Sequence, residues 1–465
     1  MKNDGGGTRT VARAIELYDA SLAETGNCGE AALRALAFVA GRGLNEGLLR
    51  IGAVHACGSH VGNRCAVIQA ALVLCSLEYG RMEGDGNRIP TGELAAKLQE
   101  NFRDRLGHCH CNALNPQGGD RCPKGVSDAA LSVAAELLLE APELVEAKMD
   151  ELKGKFKVDE SLWAFADHFM TGADWAFVNA AGDDGRIDVS KFKTPAVSLA
   201  FRHGVIDKVG DAEGGVEGYR LGTFHRRIDC FMRGERVRWR ALPDEVKQAV
   251  LCYEQDIRRW VLPRRKAGHN MSVVNALPIE QALQEIEKAK GNFFLQECDC
   301  RIYRENPGGH PTDVCLHFPA SLLNTNADRG HARLLTREEA IEVMRRSDAA
   351  GLVHNFEGDA FCNCCGCCCW AIRGIEAYRA EGLDAAAEYV NAPYVATVEE
   401  TCIGCGVCVK RCPTGALSVS GKAAHVDAER CIGCGVCRAV CGKSALAMRR
   451  RDGYAGGSED ACRAV

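Results

Sequence analysis

The sequence predicts an α+β, multidomain chain, and three observations carry that expectation. Residues 9 to 150 read as apolar runs of helical period separated by glycine turns. The C-terminal stretch carries one twelve-residue cysteine pattern twice, each copy flanked by short strand-like segments. At 465 residues the chain is too long for one ordinary core, and the length prior gives about three domains. The expected division is 1–150 (helical, cysteine-containing), 151–270 (helical and basic), 271–392 (mixed, cysteine-rich), 393–450 (compact) and a tail, 451–465.

Bulk composition narrows the class. Hydrophobic residues make up 46% and charged residues 26%, as in soluble globular proteins. A net charge of -5 gives no global basic field that would call for nucleic acid. The N-terminus lacks the apolar run of a signal peptide. The longest apolar stretches, such as AVIQAALVLC at 66–75, fall far short of the ~20 residues of a membrane span. The expectation is a cytoplasmic protein without membrane insertion. Cysteine is the anomaly, with 27 in a chain without an export signal. Residues 362–369 read CNCCGCCC, and adjacent cysteines rarely satisfy the geometry of a disulfide. Metal binding or redox work is the better reading.

In the N-terminal third, TVARAIELYDASLAE, CGEAALRALAFVAG, RCAVIQAALVLCSLEYG, PTGELAAKLQENFRDRLG and VSDAALSVAAELLLEA are expected helices. Cys28, Cys57, Cys65, Cys75, Cys109, Cys111 and Cys122 sit at or near their edges, and Cys75, beside Leu74 and Leu77, reads as core. Cys28 and Cys65 open helices, where the dipole and free amides favour a thiolate. His108, Cys109, His110 and Cys111 offer zinc or iron an HCHC set. Cys28, the ACGSHVGNRCAVIQAAL stretch with Cys65, Cys111 and Cys122 together resemble the redox-active family named for its C-GCAxxG-C-C pattern. RCAVIQA replaces the GCAxxG core and lacks both glycines. The resemblance implies redox thiols or a cluster at Cys28, Cys65, Cys111 and Cys122.

The middle segment, with SLWAFADHFMTGADWAFVNAAG, RIDVSKF, TPAVSLAFRHGVIDKV and GYRLGTF, is read as a winged-helix-like module of helices and a small hairpin. Residues 225–268 hold twelve Lys/Arg against six Asp/Glu. That excess suits a solvated helical face first, an acidic redox partner or DNA second.

Beyond it, PIEQALQEIEKAKG is an amphipathic helix, and NFFLQ a strand delivering Cys298 and Cys300. Thr336 and Glu339 form an expected capping box ahead of a helix ending near GLVH. AFCNCCGCCCWAIRGIEAYRA is expected to run from a loop into a helix, so that Cys364, Cys367 and Cys368, or Cys365, Cys368 and Cys369, converge. With Cys315 and Cys362 the region holds nine thiols, enough for one or two iron–sulfur clusters beyond those of the tail.

Residues 402–413 read CIGCGVCVKRCP and 431–442 read CIGCGVCRAVCG. Both follow C-x2-C-x2-C-x3-C, the spacing of two-cluster bacterial ferredoxins, in which the fourth cysteine of each run serves the other cluster. Cys402, Cys405, Cys408 and Cys441 are expected to bind one 4Fe-4S cluster, and Cys431, Cys434, Cys437 and Cys412 the second. YVATVEE, ALSVS, AAHVDAE and ALAMRR are expected strands. The segment resembles bacterial-type ferredoxins and implies a C-terminal two-cluster ferredoxin fold. From about residue 270 to 450, the series Cys298-Cys300-Arg301, Cys315-Leu316, Gly351–His354, Cys362–Cys369 and this tail is similar to a family of uncharacterised bacterial iron–sulfur proteins. That resemblance implies anaerobic electron transfer and names no substrate.

The expected function is a multi-cluster iron–sulfur relay with a redox protein as donor or acceptor, as partner or subunit of an anaerobic redox system. No P-loop or dinucleotide fingerprint supports nucleotide or flavin, and no catalytic residue is identified. Two alternatives stand: a redox-sensing regulator binding DNA through the middle module, and a reductase acting at the N-terminal cysteines.

Overall fold

The computed structural model describes residues 8–54, 64–79, 89–115, 122–211, 215–256, 273–383 and 389–451. Cys57 with the whole ACGSHVGN stretch, the WVLPRRK segment and nearly all of the tail lie outside them. The chain divides into two compact units, one of residues 1–158 and 170–182, the other of 159–169 and 183–465.

The first unit is helical. α1 (Val11–Thr25) begins at Thr10, whose hydroxyl accepts from the Arg13 N–H, and stops at Gly26 in the left-handed region. α2 (Cys28–Ala40) begins at Asn27, whose side chain accepts from the Gly29 and Glu30 amides. α3 (Glu46–Val54) lacks a counterpart among the expected helices. α4 (Ala66–Tyr79), α5 (Ile89–Leu106), the single turn α6 (Cys111–Leu114) and α7 (Lys124–Lys155) follow. α7 continues through Pro142, whose missing N–H leaves a gap in its ladder. α8 (Gly172–Ala180) closes the unit behind a capping box of Thr171 and Asp174. The core is made of small and branched apolar side chains, such as Ala35, Leu36, Ile68, Leu98 and Leu131, and it includes Cys75.

The second unit contains mixed sheets. β1 (Arg186–Ile187), β2 (Ile206–Gly210) and β3 (Val216–Leu221) form an antiparallel sheet in the order β1-β3-β2, with helix 194–202 ahead of the β2–β3 hairpin. Helices 224–234, 236–241 and 244–255 follow. Among the described residues of this stretch, most Lys/Arg pair with intrachain carboxylates. Arg227 meets Glu235 at 2.7 Å, Lys247 meets Glu305 at 3.4 Å, and Arg233 and Arg236 pair with Asp299 and Glu297.

A seven-stranded sheet forms the centre. It uses β4 (Val274–Leu277), β5 (Phe294–Glu297), β6 (Asp313–His317), β7 (Arg333–Leu334), β8 (Val353–Phe356), β9 (Ala360–Cys364) and β10 (Val390–Asn391), in the order β10-β4-β8-β9-β6-β5-β7. Only the β10–β4 pair is parallel. Helices 279–288 and 337–349 cover one face through Ala282, Ile286, Leu316, Ala340, Met344 and Phe361. The Thr336–Glu339 capping box is formed.

Residues 360–364, expected as loop, are strand β9. Strand alternation sends Phe361 and Asn363 to the helix side, where the Asn363 amide reaches Met344 Sδ, and Cys362 and Cys364 to the opposite side. The two expected thiol trios therefore do not form. Cys364 lies 3.2 Å from Cys369, while Cys367 lies 3.4 Å from Cys365 and 3.5 Å from Cys368.

The C-terminal domain pairs β11 (Tyr394–Val398) with β14 (Leu446–Arg450), and β12 (Leu417–Ser420) with β13 (Ala423–Val426), both antiparallel. All four strands fall where the sequence placed them. Among the described residues no helix is long and apolar enough to cross a membrane.

Candidate metal centres and the cavity between them

In the C-terminal domain each cysteine run wraps one short helix, 407–411 or 436–439. Glycines make the turns. Gly404 has φ 66°, and a Cβ there would fall 2.9 Å from the Lys422 backbone. Gly433 has φ 71°, and its Cβ would overlap the Tyr394 carbonyl. The amides of Ala424, Ala416 and Ala445 donate to the sulfurs of Cys402, Cys412 and Cys441 at 3.3, 3.2 and 3.3 Å. Such N–H···S bonds stabilise the charge of cluster-bound thiolates. Cys412, Cys431, Cys434 and Cys437 line one small cavity, so the fourth cysteine of the first run does meet three of the second. Cys408 lies within electrostatic reach of Cys402 and Cys405. This chemistry and crossing fit two 4Fe-4S clusters.

The two centres differ in exposure. Cys405 is exposed and flanked by Ile403 and Val407, 57% and 45% accessible. Cys434 is buried and shares one apolar cluster with Cys364, Cys369, Ile372 and Val436. Gly366 also abuts this domain, since a Cβ there would lie 3.4 Å from Pro413, the residue after Cys412. Ion pairs Arg438–Glu280 (2.5 Å) and Arg430–Glu376 (3.1 Å) add to this seam.

Behind the seam lies a cavity of about 520 Å³. One wall is thiol: Cys298, Cys300, Cys315, Cys362 and Cys369 line it, with Cys364 directly behind Cys369. The sheet explains the convergence. Cys315 and Cys362 project from neighbouring strands β6 and β9 to one face, and β5 leads into Cys298, the residue ahead of the helical turn 299–303 that carries Cys300. Side-chain hydrogen bonds link Cys298 with both Cys300 and Cys315, and Cys315 with Cys362. Hydrogen bonds from Cys300 and Cys315 pull the Cys298 thiol well below its ordinary value, against the cost of burial. The six-thiol set fits a further cluster.

The opposite wall is ionisable, and nothing in the local sequence pattern singled it out. His225, Asp229 and Arg233 come from helix 224–234, Glu254 from helix 244–255, and Asp299 and Tyr303 from the turn after Cys298. Burial raises the Asp299 carboxyl to about 7, although Arg233 opposes it, and burial also raises Glu254. For His225 burial works against the charge, but the hydrogen bond to Glu254 and the charge of Asp229 prevail and lift it to about 9. His225 Nδ1 stands 3.1 Å from Glu254.

The remaining three cysteines of the run, Cys365, Cys367 and Cys368, do not line this cavity; Cys365 and Cys367 meet His310, and Cys368 lies 3.5 Å from Cys367. Arg301 ties both places together. Its buried guanidinium donates to the carbonyls of Pro311 (2.8 Å) and Asn363 (2.9 Å) and bonds the Cys365 sulfur.

In the first unit, Cys28 opens α2 and Cys65 caps α4, its sulfur accepting from the Val67 and Ile68 amides. Burial nevertheless outweighs these amides and pushes the Cys65 thiol up to about 12, so the thiolate favoured by position alone is not favoured here. Cys65 lies within electrostatic reach of Cys122 and Cys111, and buried Tyr18 feels Cys28, Cys122 and Cys65. Cys28, Cys65 and Cys122 thus surround one tyrosine, and Cys111 joins them through Cys65. The HCHC set does not converge: His108 and His110 are exposed, while Cys109 is buried with its sulfur 3.4 Å from the Gln99 carbonyl.

Two family models match. Residues 395–442 match the 4Fe-4S dicluster domain, and residues 26–136 match the family described as "Putative redox-active protein (C_GCAxxG_C_C)". No curated protein and no solved structure matches the chain.

Proposed function

We propose that this chain, with a 4Fe-4S dicluster domain at its C-terminus and a C_GCAxxG_C_C domain at its N-terminus, is a multi-cluster electron relay that delivers electrons to the 520 Å³ cavity. The observation that carries this reading is the shared apolar cluster of Cys434 with Cys364 and Cys369. The inner ligand set and the thiol wall then share one packed apolar interior, which supports a short electron path between them.

The ligand assignment is Cys402, Cys405, Cys408 and Cys441 for the outer cluster and Cys412, Cys431, Cys434 and Cys437 for the inner. A third cluster takes four of Cys298, Cys300, Cys315, Cys362, Cys364 and Cys369. One-electron transfer is the chemistry these groups supply when bound. The protein's own residues set the route. Exposed Ile403 and Val407 offer an apolar rim to a redox partner beside Cys405. Buried Cys434 and the Gly366–Pro413 contact keep water from the inner step.

A second reading follows from the cavity's ionisable wall. Glu254, Asp299 and Tyr303 face the thiols across a space large enough for a small molecule. This arrangement suits reduction of a bound substrate with protons supplied from the opposite wall. The β1-β3-β2 sheet with its preceding helix supports a winged-helix-like reading of the middle module. The internal pairing of Arg227, Arg233 and Arg236 favours a structural role for these side chains over DNA contact. The four gathered thiols of the N-terminal unit form a separate candidate redox site.

Iron and acid-labile sulfide counted on anaerobically purified full chain test the proposal. Three clusters require about twelve irons, and Cys298→Ala, Cys300→Ala and Cys315→Ala together, which leave only three of the six thiols, lower the count to about eight. A wild-type count of about eight contradicts the third cluster.

A further inference from the structure

We propose that His310, Cys365, Cys367 and Cys368 hold a single divalent ion of the zinc class, distinct from the iron–sulfur clusters. Ligand atoms of His310, Cys365 and Cys367 all lie within 4.8 Å of one another. The Cys367 sulfur is 3.4 Å from that of Cys365 and 3.5 Å from that of Cys368, and Cys368 also hydrogen-bonds Cys365. Four soft donors, three sulfurs and one imidazole, make a familiar tetrahedral zinc set. With zinc–sulfur bonds of 2.3 Å, tetrahedral donors stand about 3.8 Å apart.

A cubane demands wider spacing, because its four irons occupy separate corners and each thiolate extends outward. The chain itself provides the comparison. Among the described residues, no three of the eight dicluster cysteines and no three of the six cavity thiols close to within 4.8 Å. His310, Cys365 and Cys367 do so, which matches one ion and not a cluster, and Cys368, 3.5 Å from Cys367, is the fourth donor next to them.

The surroundings support a built site. The Asn306 side chain clamps His310 at both ends of its backbone, accepting from its N–H at 3.1 Å and donating to its carbonyl at 2.7 Å. Gly308 admits the approach, since a Cβ there would fall 2.7 Å from the His310 ring and 2.9 Å from the Cys367 sulfur. Three thiolates around a divalent ion leave a net negative charge. Arg301 bonds the Cys365 sulfur, and Arg304 lies within electrostatic reach of Cys368. With all four positions filled by protein the ion is structural. It fixes the loop that carries Cys364 and Cys369 on its two ends and presses Gly366 against Pro413.

The test is zinc and iron analysis with zinc-edge X-ray absorption on the full chain purified anaerobically. The expected result is one zinc per chain with three sulfur and one nitrogen neighbours. His310→Ala loses that zinc with the iron count unchanged, while His310→Cys retains it with four sulfurs. Absence of zinc, zinc without sulfur neighbours, or zinc that survives both His310→Ala and Cys367→Ser overturns the proposal. A loss of about four irons on His310→Ala also overturns it, by giving these donors to a cluster. The wild-type spectrum decides by itself if a variant fails to fold, and the dicluster signals report separately on the electron-relay reading.

Discussion

Arg301 donates to the carbonyl of Asn363 at 2.9 Å, joining the turn that carries Cys298 and Cys300 to the strand that carries Cys362 and Cys364. The same guanidinium donates to the Pro311 carbonyl at 2.8 Å and is fully buried. Arg301→Met leaves two buried carbonyls without donors, at about 1–3 kcal/mol each. Denaturant unfolding should show a loss of about 2–5 kcal/mol, and iron content should fall towards the dicluster value. Lysine keeps the charge without the two-pronged geometry, so Arg301→Lys should recover only part. An Arg301→Met protein as stable and as iron-rich as wild type would remove this residue from the account.

The crossing of the two cysteine runs gives a second prediction. Cys412 lines the same space as Cys431, Cys434 and Cys437. Cys412→Ala should therefore leave the EPR signal that Cys434→Ala leaves, not the one that Cys405→Ala leaves. A Cys412→Ala spectrum matching Cys405→Ala would assign the fourth ligand within its own run.

The exposed rim beside Cys405 predicts how electrons enter. Ile403→Asp should slow reduction by a small one-electron carrier protein by about tenfold or more, with iron content and reduction by dithionite unaltered. An unchanged rate with the protein donor would place the docking face elsewhere.

His225 makes stability depend on pH in a defined direction. Its folded-state value, about 9, lies above the ordinary 6.5 because Glu254 and Asp229 hold the proton against burial and the nearby Arg226. The stabilisation is complete below about pH 6.5 and is lost as pH rises through about 9. Wild type should unfold at higher denaturant than His225→Gln at pH 6, with the gap closing by about pH 10. A gap that widens with alkalinity would contradict the assigned pairing.

Much of the metal chemistry was legible because ligand spacing is local. The doubled C-x2-C-x2-C-x3-C run, its four strands and the Thr336–Glu339 capping box all follow from residues a few positions apart. The cavity was not legible, because His225 and Glu254 reach Cys298 and Cys315 only through packing across long sequence separations. The ion pairs of Arg233, Arg236 and Lys247 were not legible for the same reason, since Asp299, Glu297 and Glu305 lie outside the basic stretch. Within 360–364 the alternation Ala-Phe-Cys-Asn-Cys has the period of a strand, but five residues are too few to separate strand from loop by period alone. His310 carries no local signal at all. Its role emerges only when Arg301 brings the Pro311 and Asn363 backbones together.

Electron delivery across the seam between Cys434 and the Cys364–Cys369 pair is measured most directly by EPR and rapid reduction of the anaerobic full chain. Three clusters in magnetic contact should broaden the third signal, and Cys434→Ala should sharpen it while slowing its reduction by a protein donor about tenfold or more. A third signal equally sharp and equally fast in both proteins, or no third signal, would contradict the relay.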